Sequence, residues 1–291
     1  ELTPIMRDIL QAGILAPSAD NHHRLRFQLT SDGVCVCSEA GRLAQLAGYK
    51  RTLDLLSLGT VIENIVLRAS AHHLSSSIEL FSTTKPDLIA DIKFQPTQCD
   101  PDPLHEAIPR RHTNRRFFKG PQENADTLQE ITDSATITSE CSLTWLDTPE
   151  QRRTVLRLIR LAEGERFRSP ILHAEMFESI RFDVGWQQTC TDGLAPATLE
   201  VEKALRPLFK LMRNWPIMRL MNILGVASQL GWRAGDLPCR FAPHIGVISA
   251  SSLADNDQIM AGRVFQRTWL SITERGLALQ PLPASALYAQ K

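Results

Sequence analysis

The 291-residue chain lacks the short signatures that announce nucleotide or hydrolytic chemistry. It contains no G-x-G-x-x-G, no G-x-x-x-x-G-K-[ST], no H-E-x-x-H and no G-x-S-x-G. Rossmann, P-loop, zincin and hydrolase readings are therefore without support. Six cysteines, at 35, 37, 99, 141, 190 and 239, form no C-x-x-C and no Cys/His group with zinc spacing. The paired histidines His22–His23 and His72–His73 are not set at i, i+4 ligand spacing and read as surface or core-edge residues. Net charge is also missing: Lys+Arg and Asp+Glu balance at 32 each. A broad nucleic-acid surface would show a basic excess, so no nucleic-acid partner is expected. No run of about 18 uncharged apolar residues occurs. The nearest stretch, Trp215–Trp232, carries Arg219, Asn222 and Gln229 and reads as an amphipathic or capping helix. No secretory pattern opens the chain. The expectation is a cytoplasmic protein with reduced structural thiols and no membrane partner.

What is present is a regular alternation of helical and strand signals. Residues 4–15 carry Ile5, Ile9, Leu10 and Ile14 at helical spacing, and Pro17 ends that helix in the loop APSADN. Leu25–Leu29 and Val34–Cys37 read as a hairpin joined through SDG. From Leu55 to His73 the apolar positions predict a strongly buried helix. SSSIELF predicts a strand, and DLIADIKFQP a short helix or turn leading to another. Pro96–Pro109 reads as a connector. Helices follow near Ala125–Ser134, over Glu150–Glu165, through much of 166–235 and over Asp257–Arg275, with strands at SLTWL and HIGVIS. The opening, almost directly on an amphipathic helix, reads as a piece of something longer.

Two features stand out from this background. The stretch GTVIENIVLRASAHHL (59–74) aligns without gaps on GRVFQRTWLSITERGL (262–277), as two copies of one α+β unit packed as a built-in dimer would. Arg110–Arg116 (RRHTNRR) holds four arginines. Such a run is usually a solvated surface; the alternative is that these arginines, with Thr113, hold a phosphate.

Three stretches together, APSADN at 16–21, RRHTNR at 110–115 and GLALQPLP at 276–283, resemble the nitroreductase family of FMN-binding oxidoreductases. Ala16, Pro17, Ser18, Asn21 and Phe27 match the family's Pro-Ser loop. One arginine motif in the later half and one Pro-Ser loop in the earlier half resemble the family's tandem single-chain branch. The resemblance implies an α+β fold of two fused units, 1–105 and 106–291. Each would have an antiparallel-type central sheet flanked by helices, and together they would form an internal pseudo-dimer holding one FMN.

The resemblance also distributes roles. Arg111 and Thr113 would hold the phosphate, with Arg110 and His112 as neighbours, because charge-assisted forks suit a dianion. Arg115 would lie under the pyrimidine edge, where a cation stabilises the negative charge that develops on reduction. Pro17, Ser18 and Asn21 would border the ring, and Pro281 and Leu282 would press on it. NAD(P)H would be the electron donor and a small organic molecule the acceptor, without a catalytic acid–base side chain. The sequence departs from the family at His23-Arg24-Leu25, where Gln-Pro-Trp is usual. It departs again at Pro283, which has no N–H to offer flavin N5, and in a long helical insert around 195–235 that reads as a lid. An FMN-sequestering or regulatory domain with little turnover, or one step of a larger biosynthetic protein, stays open beside the oxidoreductase. The chain is expected to be a monomeric pseudo-dimer or a dimer.

Overall fold

The computed structural model describes residues 2–81, 87–187, 189–284 and 288. It shows a mixed α/β protein with small antiparallel sheets and a majority of helix. Two compact units emerge, and they cut across the halves 1–105 and 106–291. The first comprises Glu1–Thr113, Asn124–Thr144 and Val247–Leu279, and the second Asn114–Glu123, Trp145–Gly246 and Gln280–Lys291.

In the first unit, α1 (Pro4–Ile14) starts where the Thr3 hydroxyl accepts from the Met6 N–H at 3.2 Å, with Pro4 in the first turn. β1 (Leu25–Leu29) and β2 (Gly33–Ser38) form the expected hairpin, with Phe27 opposite Val36. The strands β3 (Leu74–Leu80) and β4 (Leu88–Pro96) complete a sheet of order β1-β2-β4-β3, antiparallel throughout. β4 corrects the expectation of a short helix or turn in DLIADIKFQP. Hydrogen-bonded on both edges, it buries Leu88, Ile89, Ala90 and Ile92 without alternation, and a short apolar run of that kind cannot be told from buried helix by period. The connector also holds more structure than expected: a 3₁₀ helix, Pro103–Arg110, is capped by the Asp102 carboxylate, which accepts from the Leu104 N–H at 3.1 Å. Cys35, Cys37 and Leu88 make a small buried cluster, while Val34 and Val36 enter the main core. The short helix α2 (Arg42–Gln45) leads toward α3 (Gly48–Ser70), which lines that core with Leu55, Leu58, Val61, Ile62 and Ile65. α4 (Ala125–Ala135) and α11 (Asp255–Glu274) come from the later sequence. The two-stranded sheet of β5 (Cys141–Trp145) and β6 (Gly246–Ala250) accompanies them.

The crossing of α3 and α11 centres on two glycines. A Cβ on Gly59 would lie 2.2 Å from the Ile259 carbonyl oxygen, and one on Gly262 would lie 2.2 Å from that of Leu56. The register that aligns Gly59 with Gly262 also aligns Leu56 with Ile259, so the contact is reciprocal. The two stretches aligned in the sequence are thus the helices that meet. Gly59→Ala should destabilise the protein by about 1–3 kcal/mol through overpacking, despite alanine's helix preference of about 1 kcal/mol. Urea unfolding checks this, and a gain in stability would refute the close crossing.

The second unit is mostly helical. α5 (Pro149–Arg168) opens on a capping box between Thr148 and Gln151. Ser169 then caps α6 (Pro170–Ser179). α7 (Arg206–Leu211), α8 (Trp215–Ile223), α9 (Val226–Gly231) and α10 (Leu237–Arg240) follow. Their core gathers Phe167, Phe177, Ile180, Met212, Met218 and Ala227. Buried His173 is held there by the Met212 carbonyl at 2.9 Å and flanked by the Phe177 and Trp215 rings.

Candidate functional site

Beyond α1 the chain turns sharply and is pinned to α3. The Thr60 hydroxyl donates to the Pro17 carbonyl at 2.8 Å, and the Ala19 N–H donates to the Ser57 hydroxyl at 3.1 Å. Asp20 (φ 53°) and Asn21 (φ 58°) take the left-handed region, which short polar side chains tolerate. The hydroxyl oxygen of half-buried Ser18 is sealed from solvent and has no hydrogen-bond partner among the described residues.

Arg111 lies against this turn. Its Nη2 is 3.4 Å from the Leu15 carbonyl, two residues before Pro17, and its guanidinium stacks 4.4 Å over the Trp269 ring of α11. Part of the side chain stays accessible, but Nε is sealed from solvent without a partner. Burial pushes the guanidinium pKa from 12.5 down to about 10, so it remains a cation at neutral pH. No carboxylate pairs with it among the described residues. His23 is its titratable neighbour. Burial, aided by the Arg111 charge, lowers the His23 pKa below 6.5 against the opposing hydrogen bonds to the Ala16 and Ile14 backbone. The ring is therefore neutral at pH 7 and offers no counter-charge. Trp269, 1% exposed, contributes an indole N–H that is also unsatisfied. A half-buried cation with an orphan donor suits an anion with several acceptor oxygens.

The remaining arginine-run residues divide. Arg110 is exposed, with Nε 3.4 Å from the Glu106 carbonyl; exposed His112 has its ring against the Arg110 carbonyl at 3.2 Å. Thr113 is half-buried, and its backbone bridges in parallel to Leu279, which joins the arginine run to GLALQPLP within the first unit. Arg115, half-buried, has Nη1 3.4 Å from the Thr198 carbonyl. Exposed Arg116 pairs with Glu200 at 3.0 Å. Arg115, Pro281 and Leu282 belong to the second unit, whereas Pro17, Ser18, Asn21 and Arg110–Thr113 belong to the first. Pro281 and Leu282 are half-buried, and Pro283 is exposed. Sequence reasoning missed Trp269 and His23. The tryptophan reads as one more apolar position of a buried helix. The histidine reads as a surface or core-edge residue, although it stands where the resemblance shows its clearest departure.

No family model matches the chain. It is similar to an uncharacterized protein of Mycobacterium tuberculosis (strain CDC 1551 / Oshkosh), 24% identical over 304 residues. The match covers all of this chain and 40% of that relative, so the chain spans well under half of the protein it matches.

Proposed function

We propose that this chain is an FMN-binding, nitroreductase-like oxidoreductase built as an internal pseudo-dimer, passing electrons from NAD(P)H to a small organic acceptor. The observation that carries the reading is Arg111: a shielded guanidinium with an orphan Nε and, among the described residues, no counter-charge. The reciprocal Gly59–Gly262 crossing supports the duplicated architecture. In this reading Arg111 and Thr113 hold the phosphate, and Arg110 and His112 add positive or polar surface around it. Ser18 and Asn21 offer short polar groups to the ring edge, beside Pro17. Arg115 is assigned to the pyrimidine edge, and Pro281 and Leu282 to apolar contact, on the resemblance alone. FMN, when bound, supplies hydride acceptance and electron release, so the side chains need only bind, orient and polarise.

A second reading, FMN sequestration with little turnover, is favoured by Pro283, which cannot donate a backbone N–H. One experiment separates them. The purified protein should be yellow, bleach with NADH or NADPH, and regain colour with a quinone or nitroaromatic. Colour that bleaches only with dithionite selects sequestration, and a colourless protein that takes up no added FMN refutes both. Arg115→Ala should retain FMN while its reduction potential falls; an unchanged potential would remove Arg115 from the assigned role.

A further inference from the structure

The second unit carries a surface that the flavin reading does not use. From Lys203 to Gly235 the sequence has Lys203, Arg206, Lys210, Arg213, Arg219 and Arg233, and no Asp or Glu. Arg206 stacks on Trp186 and Arg233 pairs with Glu202. Lys203, Lys210, Arg213 and Arg219 are exposed and engage no partner among the described residues. Between these cations stand aliphatic side chains open to solvent. On α8 and its C-terminal cap, Leu220, Ile223 and Leu224 are 66%, 79% and 81% exposed, at i, i+3, i+4 spacing. On and before α7, Leu205, Leu208 and Leu211 repeat every third residue and are also exposed. The opposite sides are anchored, since Met212 and Met218 lie in the aromatic core.

We infer that α7 and α8 form a peripheral docking surface for an anionic lipid bilayer. The chemistry selects this occupant in three ways. Unpaired cations interleaved with aliphatic side chains match anionic headgroups above acyl chains, the pattern of a helix lying in the interface. A second copy fits poorly, because an isologous contact would set one cationic face, without Asp or Glu from Lys203 to Gly235, against another of the same sign. A protein partner also fits poorly, because protein interfaces are depleted in lysine and concentrate binding in tyrosine and tryptophan, whereas leucine is rare among hot spots. No helix among the described residues is long and apolar enough to cross a membrane, which agrees with lying on the surface instead.

Flotation of the whole protein with vesicles tests this. Vesicles of equal parts phosphatidylserine and phosphatidylcholine should carry the protein up, phosphatidylcholine alone should not, and molar salt should release it. Each cation near the surface is worth about five-fold in partitioning, so Arg213→Glu/Arg219→Glu should reduce flotation by more than about ten-fold. Ile223→Asp/Leu224→Asp should reduce it comparably, with the melting temperature and near-UV circular dichroism unchanged. Three results would overturn the surface: no flotation of the wild type, equal flotation on uncharged vesicles, or both variants floating like the wild type. A concentration-dependent dimer abolished by Ile223→Asp/Leu224→Asp would assign the face to a second copy instead.

Discussion

On the proposed FMN reading, Arg111→Met should empty the protein of FMN and, in the same molecule, raise the stability of the apoprotein. The two effects share a cause. A guanidinium shielded from water and without a carboxylate is held in an unfavourable place, which is why its pKa falls to about 10. Since the folded-state pKa lies below the unfolded value of 12.5, the burden on folding is present in full below about pH 10. It is relieved only as pH rises between those two values, where the unfolded chain binds the extra proton. Methionine keeps an apolar stem against Trp269 and removes the charge. The ligand suffers the opposite change, because losing two charge-assisted hydrogen bonds at about 1.5–3 kcal/mol each raises Kd at least about a hundred-fold. Flavin absorbance per protein and apoprotein melting temperature measure the two halves. Arg116→Ala is the control: exposed and paired with Glu200, it should leave both unchanged. Wild-type flavin content in Arg111→Met would refute the site. Loss of flavin together with a less stable apoprotein would mean that Arg111 serves the fold, not an anion.

Glu63→Ala should destabilise the protein by about 3 kcal/mol, because it leaves part-buried Arg263 without its carboxylate and Arg267 with Asp102 alone. Glu63, 1% exposed, accepts from Arg263 Nε at 2.7 Å and from Arg267 Nη1 at 2.9 Å, one step along α3 from the glycine crossing. Arg267 also donates to Asp102 at 2.7 Å and to the Ser134 carbonyl at 2.6 Å, so one guanidinium ties α11 to three other segments of the first unit. Removing the carboxylate strands the cations where water reaches them poorly. Glu63→Gln keeps the shape and loses the charge, and should fall between wild type and alanine. Denaturant midpoints of the three proteins order the series. An alanine variant within about 1 kcal/mol of wild type would show that this ion-pair cluster contributes little.

The helices α1, α3 and α11 and the β1–β2 hairpin were legible because each writes its own period: apolar residues at helical spacing, or alternation around a turn. The same local logic failed on β4, whose burial comes from strands on both sides. It was also silent on Pro103–Arg110, where proline and aspartate read as a connector although Asp102 caps a helix. At the site, the sequence singled out the arginine run and the Pro-Ser loop through chemistry and resemblance, and the resemblance put Arg111 on the phosphate, but no local pattern says which guanidinium is shielded from water.

By itself, then, the sequence determined the long periodic helices, the β1–β2 hairpin and the concentration of positive charge, all of which depend on neighbours a few residues away. Only the tertiary structure decided that Arg111 is the shielded arginine, stacked on Trp269 from far along the chain, and that Gly59 meets Gly262. Burial and counter-charge depend on which distant surfaces close over a side chain, and a local pattern carries no record of that.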